Sequence, residues 1–480
     1  MVESRAERRV RTRAVVEELF GAALAAVEPA GLVFRWLDRN LLPPISGSLV
    51  VVALGKAAHG MVRGARAALG PQIARGMVVV PGAASGSGGG IGRALGAHHR
   101  FQVLHGGHPV PDQGSVSAGA ALLELAEGLG PEDLLLVLLS GGGSALAAVP
   151  APPLSLADVA EATRVLLDSG APITEVNAVR RGMDLLKGGG LARAAHPARV
   201  VTLAISDVVG DPPADIASGP TVARPTSDPA VAGLLEARGV CERLPPQVRE
   251  CLEGVARGGG AAGRVDRTRT EWHLVGSNRL ALEGVRDRAE RHGRRVRLLP
   301  DPLAGEAREV GRVLAGIGME LSRDLGPGDR PLLLVAGGET TVTVRGPGRG
   351  GRNQEVALGA GLALARAVGA IAQGYGAGGE GRGHGEGEAD GGGEGGAAAR
   401  AVTVAALGTD GVDGPTDAAG AVADASTVAR ARAAGGSVEA ALRDNDAYPL
   451  LASVGDLILT GPTGTNVMDL FLVLVDPPLP

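Results

Sequence analysis

A glycine loop framed by serines, Ser140–Ser144, directly follows the six apolar residues Leu134–Leu139. Its small side chains allow backbone N–H groups to turn towards an anion. The apolar run lacks polar alternation, which predicts a strand covered on both faces of a parallel sheet. Ala145–Ala148 can begin a helix, and strand, glycine loop and helix together are typical of a phosphate site. A plain tight turn between a strand and a helix fits the local pattern equally well.

Lysine is rare in this chain. Lysine and arginine total 47, and only Lys56 and Lys187 are lysines. A lysine can place a compact ammonium group on a phosphate oxygen, whereas arginine presents a wide, planar guanidinium fork. Lys56 follows the apolar run Leu49–Leu54 and one glycine, and Lys187 precedes three glycines. We therefore favour a functional role for both lysines over chance survival.

Aspartates follow two other apolar runs. Asp207 comes after Val200–Ile205, and Asp410 comes after Val402–Leu407. Carboxylate and water oxygens are the ligands that Mg²⁺ prefers, so we predict that Asp207 and Asp410 bind metal or act in catalysis. Solvated turn aspartates are the alternative, and that alternative carries more weight for Asp211 and Asp215.

A second glycine loop ends in Arg352 and Asn353, at the predicted start of a helix, where an anion is favoured. Asn466 lies in a glycine- and threonine-rich loop before the apolar run Leu470–Val475. Four of the six asparagines fall in such loops or helix starts, which favours ligand contact. The predicted substrate- or nucleotide-binding residues are Ser140, Gly141, Gly142, Gly143, Ser144, Lys187, Asn353 and Asn466.

The elements that position these residues are alternating strands and helices, which predict an α/β protein. A chain of 480 residues is too long for one ordinary domain. We predict two Rossmann-like α/β domains facing each other across a cleft, over residues 1–235 and 236–480. Residues 373–398 are almost entirely Gly, Glu, Ala, Asp and Arg, and this composition predicts a disordered insertion in the second domain.

Composition also excludes some functions. The net charge is −5 and no basic stripe is present, so nucleic acid is not an expected partner. The charged start lacks the apolar core of a signal peptide, and no apolar run reaches membrane-spanning length. We therefore expect a cytoplasmic protein with small-molecule partners and no membrane contact. The sequence leaves the oligomeric state open, with a homodimer as one option.

Loop amides and cations that hold phosphates, with carboxylates that hold Mg²⁺, suit phosphoryl transfer. The ordered motifs together resemble the glycerate 2-kinase family, with a DUF4147-type N-terminal domain and a C-terminal MOFRL domain. The motifs are Gly55-Lys-Ala-Ala58, Gly107-His-Pro-Val-Pro-Asp112, Ser140-Gly-Gly-Gly-Ser-Ala145, Lys187-Gly-Gly-Gly-Leu-Ala192, Ser206-Asp-Val-Val-Gly-Asp211, Gly337-Gly-Glu-Thr340, Gly351-Arg-Asn-Gln-Glu355, Thr409-Asp-Gly-Val-Asp-Gly414 and Thr463-Gly-Thr-Asn-Val467.

The resemblance implies a kinase that uses ATP and Mg²⁺ to phosphorylate the 2-hydroxyl of D-glycerate, giving 2-phospho-D-glycerate and ADP. It also implies that the matching residues Lys56, Asp207, Arg352 and Asp410 matter most. We predict that these four residues are catalytic and, from their positions after strands, that Asp207 and Asp410 are also metal ligands.

Members of this family have also been labelled hydroxypyruvate reductases, so an NAD(P)H-dependent reductase is the alternative. A reductase of this kind predicts a GxGxxG turn after a strand. The loop that starts at Gly141 has Leu146 where the last glycine is required, which counts against the reductase. A sugar-acid sensor without catalysis is a third reading. Two acidic loops and two lysines are more charge than carboxylate binding alone requires.

Overall fold

The computed structural model describes residues 4–82, 100–169, 173–223, 231, 233, 240–256, 265–369 and 394–478. The chain forms two compact units. The N-terminal unit contains residues 27–277 together with 464–467. The C-terminal unit contains residues 278–463 and 468–480, together with 1–26. Each unit is built on its own sheet.

The N-terminal unit has a six-stranded parallel sheet in the order β3-β2-β1-β4-β5-β6. Doubly wound α/β folds that bind dinucleotides have this strand order. All six residues of β1 and of β4 are buried, as expected for strands covered on both faces. The strands are β1 Leu49–Leu54, β2 Ile73–Pro81, β3 Phe101–Gly106, β4 Leu134–Leu139, β5 Arg199–Ile205 and β6 Thr270–Gly276.

Helices cover both faces of this sheet. Leu122 and Leu191 belong to the core that packs on Val50, Val52 and Leu135 on one face, and α3 packs on β1 and β4. A separate helical cluster is formed around Leu166, Val179 and Leu252. The helices of this unit are α2 Pro29–Arg39, α3 Ala58–Leu69, α4 Gln113–Glu127, α5 Gly143–Leu146, α6 Leu156–Asp168, α7 Ile173–Gly182, α8 Gly190–Ala195, α9 Val240–Arg243 and α10 Pro246–Ala256, and α1 Arg5–Ala26 belongs to the other unit.

The C-terminal unit has a seven-stranded mixed sheet in the order β12-β11-β10-β13-β9-β7, with β8 paired to β9. The central strand β13 pairs antiparallel with both β10 and β9, whereas β7 and β8 run parallel to β9. The strands are β7 Arg295–Leu298, β8 Leu303–Glu306, β9 Leu332–Thr341, β10 Val402–Gly408, β11 Gly420–Asp424, β12 Leu457–Ile458 and β13 Asp469–Val475.

The core of the C-terminal unit contains Leu314, Val356 and Ala399 together with Val404 and Phe471 from the central strands. A second cluster joins one long helix to three short ones around Leu358, Leu442 and Leu451. The helices of this unit, besides α1, are α11 Asn278–Arg291, α12 Ala307–Arg323, α13 Arg352–Ala367, α14 Glu394–Arg400, α15 Thr427–Ala433, α16 Val438–Asp444 and α17 Ala447–Ser453.

Both units are therefore α/β, as the sequence predicts. The units divide between Ser277 and Asn278 rather than after residue 235, because β6 pairs in parallel with β5 and completes the first sheet. The first 26 residues also group with the C-terminal unit, since α1 packs on α11. The prediction divided the chain into two continuous ranges. Residues 236–277 and 1–26 differ from it because their contacts are with the other unit.

The predicted disordered insertion, residues 373–398, needs a correction at its end. Residues 394–398 belong to α14, and Ala398 and Ala399 are buried against the core of the C-terminal unit. Three consecutive alanines favour helix and cost little side-chain entropy, so this end can order. The rest of the predicted insertion, up to residue 393, lies outside the described residues.

Within the described part of the chain, no single helix is long and apolar enough to span a membrane. The two helices Ala6–Ala26 and Pro29–Arg39, which meet at a bend of 41°, reach that length and apolar composition only when they are taken together.

Candidate active site

The candidate site of the N-terminal unit lies at the carboxyl ends of β1 and β4. These two strands are neighbours in the centre of the sheet, and the strand order reverses between them. Ligands of open α/β sheets bind at such a switch point, outside the carboxyl ends of the strands. The loop after β1 carries Lys56, and the loop after β4 is Ser140–Ser144. Both sequence predictions therefore fall at the same point of the fold.

Hydrogen bonds hold the two loops together. The Lys56 N–H donates to the Gly141 carbonyl at 2.9 Å, and the Ala57 N–H donates to Ser140 Oγ at 3.0 Å. The Ser144 and Ser218 hydroxyls are 2.8 Å apart. Both serine hydroxyls thus contact protein groups, and the loop also offers its backbone amides as donors. The amides of Gly141 and Gly142 find no acceptor within the described residues.

Glycine is required at two positions of this loop. Gly142 has φ +82°, a left-handed conformation that residues with a side chain rarely adopt. A Cβ atom on Gly141 would overlap the carboxylate of Asp207. The helix after the loop, α5, has only 4 residues, so its dipole adds little. We therefore attribute any anion binding here to the loop amides and nearby cations.

Lys56 and His108 approach each other beside Gly142. A Cβ atom on Gly142 would lie 3.0 Å from the His108 ring and 3.3 Å from Lys56 Cγ. Burial, together with the smaller effects of the Lys56 and Arg180 charges, lowers the pKa of His108 to about 4. The imidazole is therefore neutral at pH 7 and can offer one N–H donor and one nitrogen acceptor.

Asp207 follows β5 and lies against Gly141, so its carboxylate is next to the glycine loop. Asn466 Nδ2 is 3.4 Å from Asp207 Oδ2, and the two residues belong to the same unit. The segment that carries Asn466 is fixed there because the buried Thr465 hydroxyl donates to the Val27 carbonyl at 3.2 Å. The structure thus joins two predicted site residues that are 259 positions apart.

Lys187 has different surroundings. Its side chain is only 5% exposed, and Nζ lies 2.5 Å from Asp184 Oδ2 and 3.3 Å from the Ala147 carbonyl. Burial lowers the pKa of Lys187, while Asp184 acts in the opposite direction. This ammonium group has a structural partner, and a role in ligand binding stays a prediction.

In the C-terminal unit, Arg352 is the first residue of α13 and is held by two carboxylates. Nε and Nη2 bind the buried Asp469 at 2.6 and 3.0 Å, and Nη1 binds Glu339 at 2.6 Å. Burial lowers the pKa of the Arg352 guanidinium, but Asp469 and Glu339 outweigh burial and the net direction is upward. Arg352 is therefore locked in position, with part of its donor capacity already used.

The start of α13 is capped by a buried carboxylate. Asp413 accepts hydrogen bonds from the amides of Asn353 at 3.0 Å and Gln354 at 2.9 Å. An anion at this position satisfies the first amides of the helix. Burial raises the pKa of Asp413 to about 6 against the effect of these two bonds. The anion at the start of α13 is thus a protein carboxylate, and Asn353 is buried beside it.

Asp410 follows β10 and lies near Asn353. Asn353 Nδ2 and Asp410 Oδ1 are each 3.4 Å from the position that a Cβ of Gly408 would occupy. Asp410 Oδ1 accepts from the Val412 amide at 3.2 Å, and its carbonyl accepts from the Thr463 amide at 3.1 Å. Asp410 is half-buried, so its carboxylate keeps some access to solvent.

Comparisons with known proteins identify the family. A domain of unknown function (DUF4147) matches residues 15–253, and the MOFRL family matches residues 332–469. The chain is 36% identical over 458 residues to D-glycerate 2-kinase of Thermotoga maritima, covering 95% of this chain and 97% of that protein. This chain belongs to the glycerate 2-kinase family.

A crystal structure of glycerate kinase from Thermotoga maritima has a TM-score of 0.78 to this chain at 34% identity, covering 97% of this chain and all of that one. A protein of Agrobacterium vitis, provisionally named a hydroxypyruvate reductase, is 37% identical and covers 97% of this chain and 95% of its own length.

Within this glycerate 2-kinase family member, the structure brings Lys56, Asp207, Asn466 and the glycine loop together in the N-terminal unit. It brings Arg352, Asn353 and Asp410 together in the C-terminal unit. The predicted site residues omitted His108, Arg180, Asp413 and Asp469. The turn around His108 was one of the recognised motifs, and Asp413 lies in another, so both could have been found. Arg180 and Asp469 carry no local signal, because their environments depend on packing.

Proposed function

We propose that this chain transfers the γ-phosphoryl group of ATP to the 2-hydroxyl of D-glycerate, giving 2-phospho-D-glycerate and ADP. The observation that carries the proposal is the convergence of Lys56, the glycine loop and Asp207 at the switch point of the parallel sheet. The relatives named as glycerate kinases support the choice of acceptor and donor.

The reaction requires the glycerate 2-oxygen to bond to the γ-phosphorus while the bond from that phosphorus to the ADP oxygen breaks. The hydroxyl proton must leave, and a carboxylate near the oxygen can accept it. Positioning and charge stabilisation supply most of the catalysis in such a transfer. Lys56 and the amides of Gly141 and Gly142 would stabilise the negative oxygens. Asp207, next to the loop, is the candidate for holding a metal ion or the hydroxyl proton.

Mg²⁺ enters this proposal together with the nucleotide. Mg²⁺ keeps several waters and takes one or two protein carboxylates plus substrate phosphates. The described residues contain no group of three or more acidic, histidine or cysteine side chains suited to a resident ion. Asp207, a carboxylate after the end of β5, fits the smaller requirement in the N-terminal unit. Asp410, after the end of β10, is the corresponding candidate of the C-terminal unit. Arg352, locked by Asp469 and Glu339, would contact a phosphate with its remaining donors.

A discriminating assay follows from the position of the transferred group. The protein is incubated with ATP, Mg²⁺ and D-glycerate, and the product is passed to enolase, which dehydrates 2-phosphoglycerate and not its 3-phospho isomer. We expect ATP-dependent formation of phosphoenolpyruvate. Formation of 3-phosphoglycerate, or no product at any Mg²⁺ concentration, would overturn the proposal.

A hydroxypyruvate reductase remains the second candidate, favoured by the strand order of the N-terminal sheet and the name of one relative. Dinucleotide-binding sheets carry GxGxxG after the first strand and an acidic residue about 20 positions later. Here Ala57 stands at the second glycine position, and residues 61–100 contain no Asp or Glu. NADH and NADPH oxidation with hydroxypyruvate is measured beside the kinase assay, and we expect none above background.

Small-molecule substrates are the partners that this function requires. A cytoplasmic location and a homodimer belong to the same proposal, and cell fractionation and light scattering test them.

A further inference from the structure

The last turn of α7 is fixed to the glycine loop through a short connecting segment. Arg181 Nη1 binds Asp215 Oδ1 at 2.6 Å and the Ala214 carbonyl at 3.1 Å. The next residues form a 3-10 turn, Ile216–Ser218, in which Ser218 contacts Ser144 and the Ala217 methyl lies against Gly143. The helix turn that carries Arg180 is therefore held at the edge of the candidate site.

Arg180 differs from its neighbour Arg181. Its side chain is half-buried, and no hydrogen bond or ion pair to its guanidinium occurs among the residues that the structure describes. Burial lowers the pKa of Arg180 itself. Its helix turn is tied to the glycine loop through Asp215 and Ser218, and its positive charge is close enough to His108 and Lys187 to act on both. Lys187 has a carboxylate partner, whereas Arg180 adds charge to a site that already holds Lys56.

A partly buried cation without an anion is unfavourable, because it loses hydration and gains no Coulomb attraction. Two cations, Lys56 and Arg180, lie near one loop that has a single carboxylate, Asp207, against it. The amides of Gly141 and Gly142 find no acceptor in the described part of the chain, so an anion of a substrate would complete the site. The planar guanidinium fork matches the two oxygens of a carboxylate or a phosphate. Both substrates of the proposed reaction carry such oxyanions.

We propose that Arg180, with Lys56 and the amides of Gly141 and Gly142, binds an oxyanion of a substrate, either the carboxylate of D-glycerate or a phosphate of the nucleotide. This inference rests on the proposed function for the identity of the two ligands. Arg180 is then a binding residue, and the bound anion offsets the repulsion between Arg180 and Lys56.

The test compares Arg180→Gln with Arg164→Gln. Arg164 is an exposed residue on α6 that pairs with Glu161, so the control removes the same charge outside the site. Binding of D-glycerate alone, and of a non-hydrolysable ATP analogue alone, is measured by calorimetry for the wild type and both variants. We expect Arg180→Gln to weaken one of the two ligands by about tenfold or more, and the ligand that weakens identifies the oxyanion. Arg164→Gln should bind both ligands like the wild type.

Melting temperature supplies a readout that a structural role would not give. Removal of an unpaired, half-buried charge should leave the melting temperature unchanged or raise it, whereas removal of a structural arginine lowers it. If Arg180→Gln does not yield folded protein, Arg180→Lys retains the charge and is expected to show a smaller loss of the same ligand. Unchanged affinity for both ligands, a wild type that binds neither, or weaker binding explained by a lower melting temperature would overturn the assignment.

Turnover of the wild type keeps this inference separate from the proposed function. A wild type that binds D-glycerate but forms no 2-phosphoglycerate contradicts the kinase alone. A wild type that turns over, with unchanged ligand affinities in Arg180→Gln, contradicts the role of Arg180 alone.

Discussion

The two lysines of this chain have opposite surroundings, and paired variants separate their roles. Lys56 is half-buried beside His108 and Gly142. We expect Lys56→Arg and Lys56→Ala to lose about 100-fold in turnover, or on the order of 3 kcal/mol of transition-state stabilisation, and to melt near the wild type. Arginine fails because its fork does not fit a space shaped for an ammonium group.

Lys187→Met is the matched comparison, because it removes the only cation paired with the buried carboxylate of Asp184 among the described residues and leaves that carboxylate with amide donors alone. We expect it to lower the free energy of unfolding by about 3–5 kcal/mol, measured by urea denaturation.

Near-wild-type turnover of Lys56→Arg in the enolase-coupled assay would show that the scarcity of lysine has no functional meaning here.

Asp207 is predicted to govern the dependence of the rate on Mg²⁺. Asp207→Asn keeps the shape of the side chain beside Gly141 but removes the charge, so we expect a higher Mg²⁺ midpoint and at least about tenfold slower turnover. Asp211→Asn is the control, since Asp211 has φ +53° and asparagine tolerates this left-handed conformation. An identical Mg²⁺ titration for the wild type and Asp207→Asn would refute a metal role.

Asp413 predicts a pH dependence of stability. Its folded-state pKa of about 6 lies above the ordinary value of 3.8, so between these pH values the folded state binds more protons than the unfolded state. The contribution of Asp413 to stability is therefore largest below about pH 4 and falls as the pH rises through 6, by about 3 kcal/mol. Asp413→Asn should flatten this part of the profile of unfolding free energy against pH. Parallel profiles for the two proteins would contradict the prediction.

At the scale of elements, the boundary of the insertion can be tested by two deletions. Residues 373–393 have a composition that cannot bury a core. Their replacement by a short glycine linker should leave turnover within a few-fold of the wild type. Deletion of 373–398 also removes the first five residues of α14 and the buried Ala398, so we expect it to lower the melting temperature by several degrees. Equal melting temperatures of the two deletions would mean that α14 does not stabilise the unit.

Some elements could be predicted from sequence to the residue, and the reasons are physical. β1 and β4 are continuous apolar runs because both of their faces are covered. β3 was missed because it is an edge strand with mixed exposure, Phe101–Gly106, and shows no clean pattern. β8, Leu303–Glu306, has no sequence signal of its own, since it is defined by its pairing with β9, a tertiary contact.

The same distinction holds for the site. A strand-end glycine loop and its neighbouring lysine are local signals. The contact of Asn466 with Asp207 and the isolation of Arg180 exist only after folding, and no spacing in the sequence encodes them.

At the scale of the molecule, the chain crosses between its two units four times, and β13 makes the C-terminal sheet dependent on a distant segment. All seven residues of β13 are buried between β9 and β10. A chain that stops after Val467 would leave two unpaired edges in the middle of the sheet. We expect it to be insoluble or to lack hydrogen-exchange protection in β9 and β10.

A chain that stops after Asp476 is the control for this truncation, because it retains β13 and the contact of Asp476 with Arg8. It should behave like the wild type. Normal protection of β9 and β10 in the shorter chain would show that the sheet closes without its central strand.

The position of β13 also has a consequence for synthesis on the ribosome. Roughly 190 residues separate Asn278 from Asp469, and translation at about 5–20 residues per second takes on the order of 10–40 s to cover them. During that time the six strands of the N-terminal sheet are already available, while β9 and β10 wait for the strand that joins them. Their apolar faces are then candidates for binding by chaperones or for aggregation with neighbouring nascent chains. The yield of this enzyme in a cell should therefore depend on what happens to its C-terminal half before translation ends.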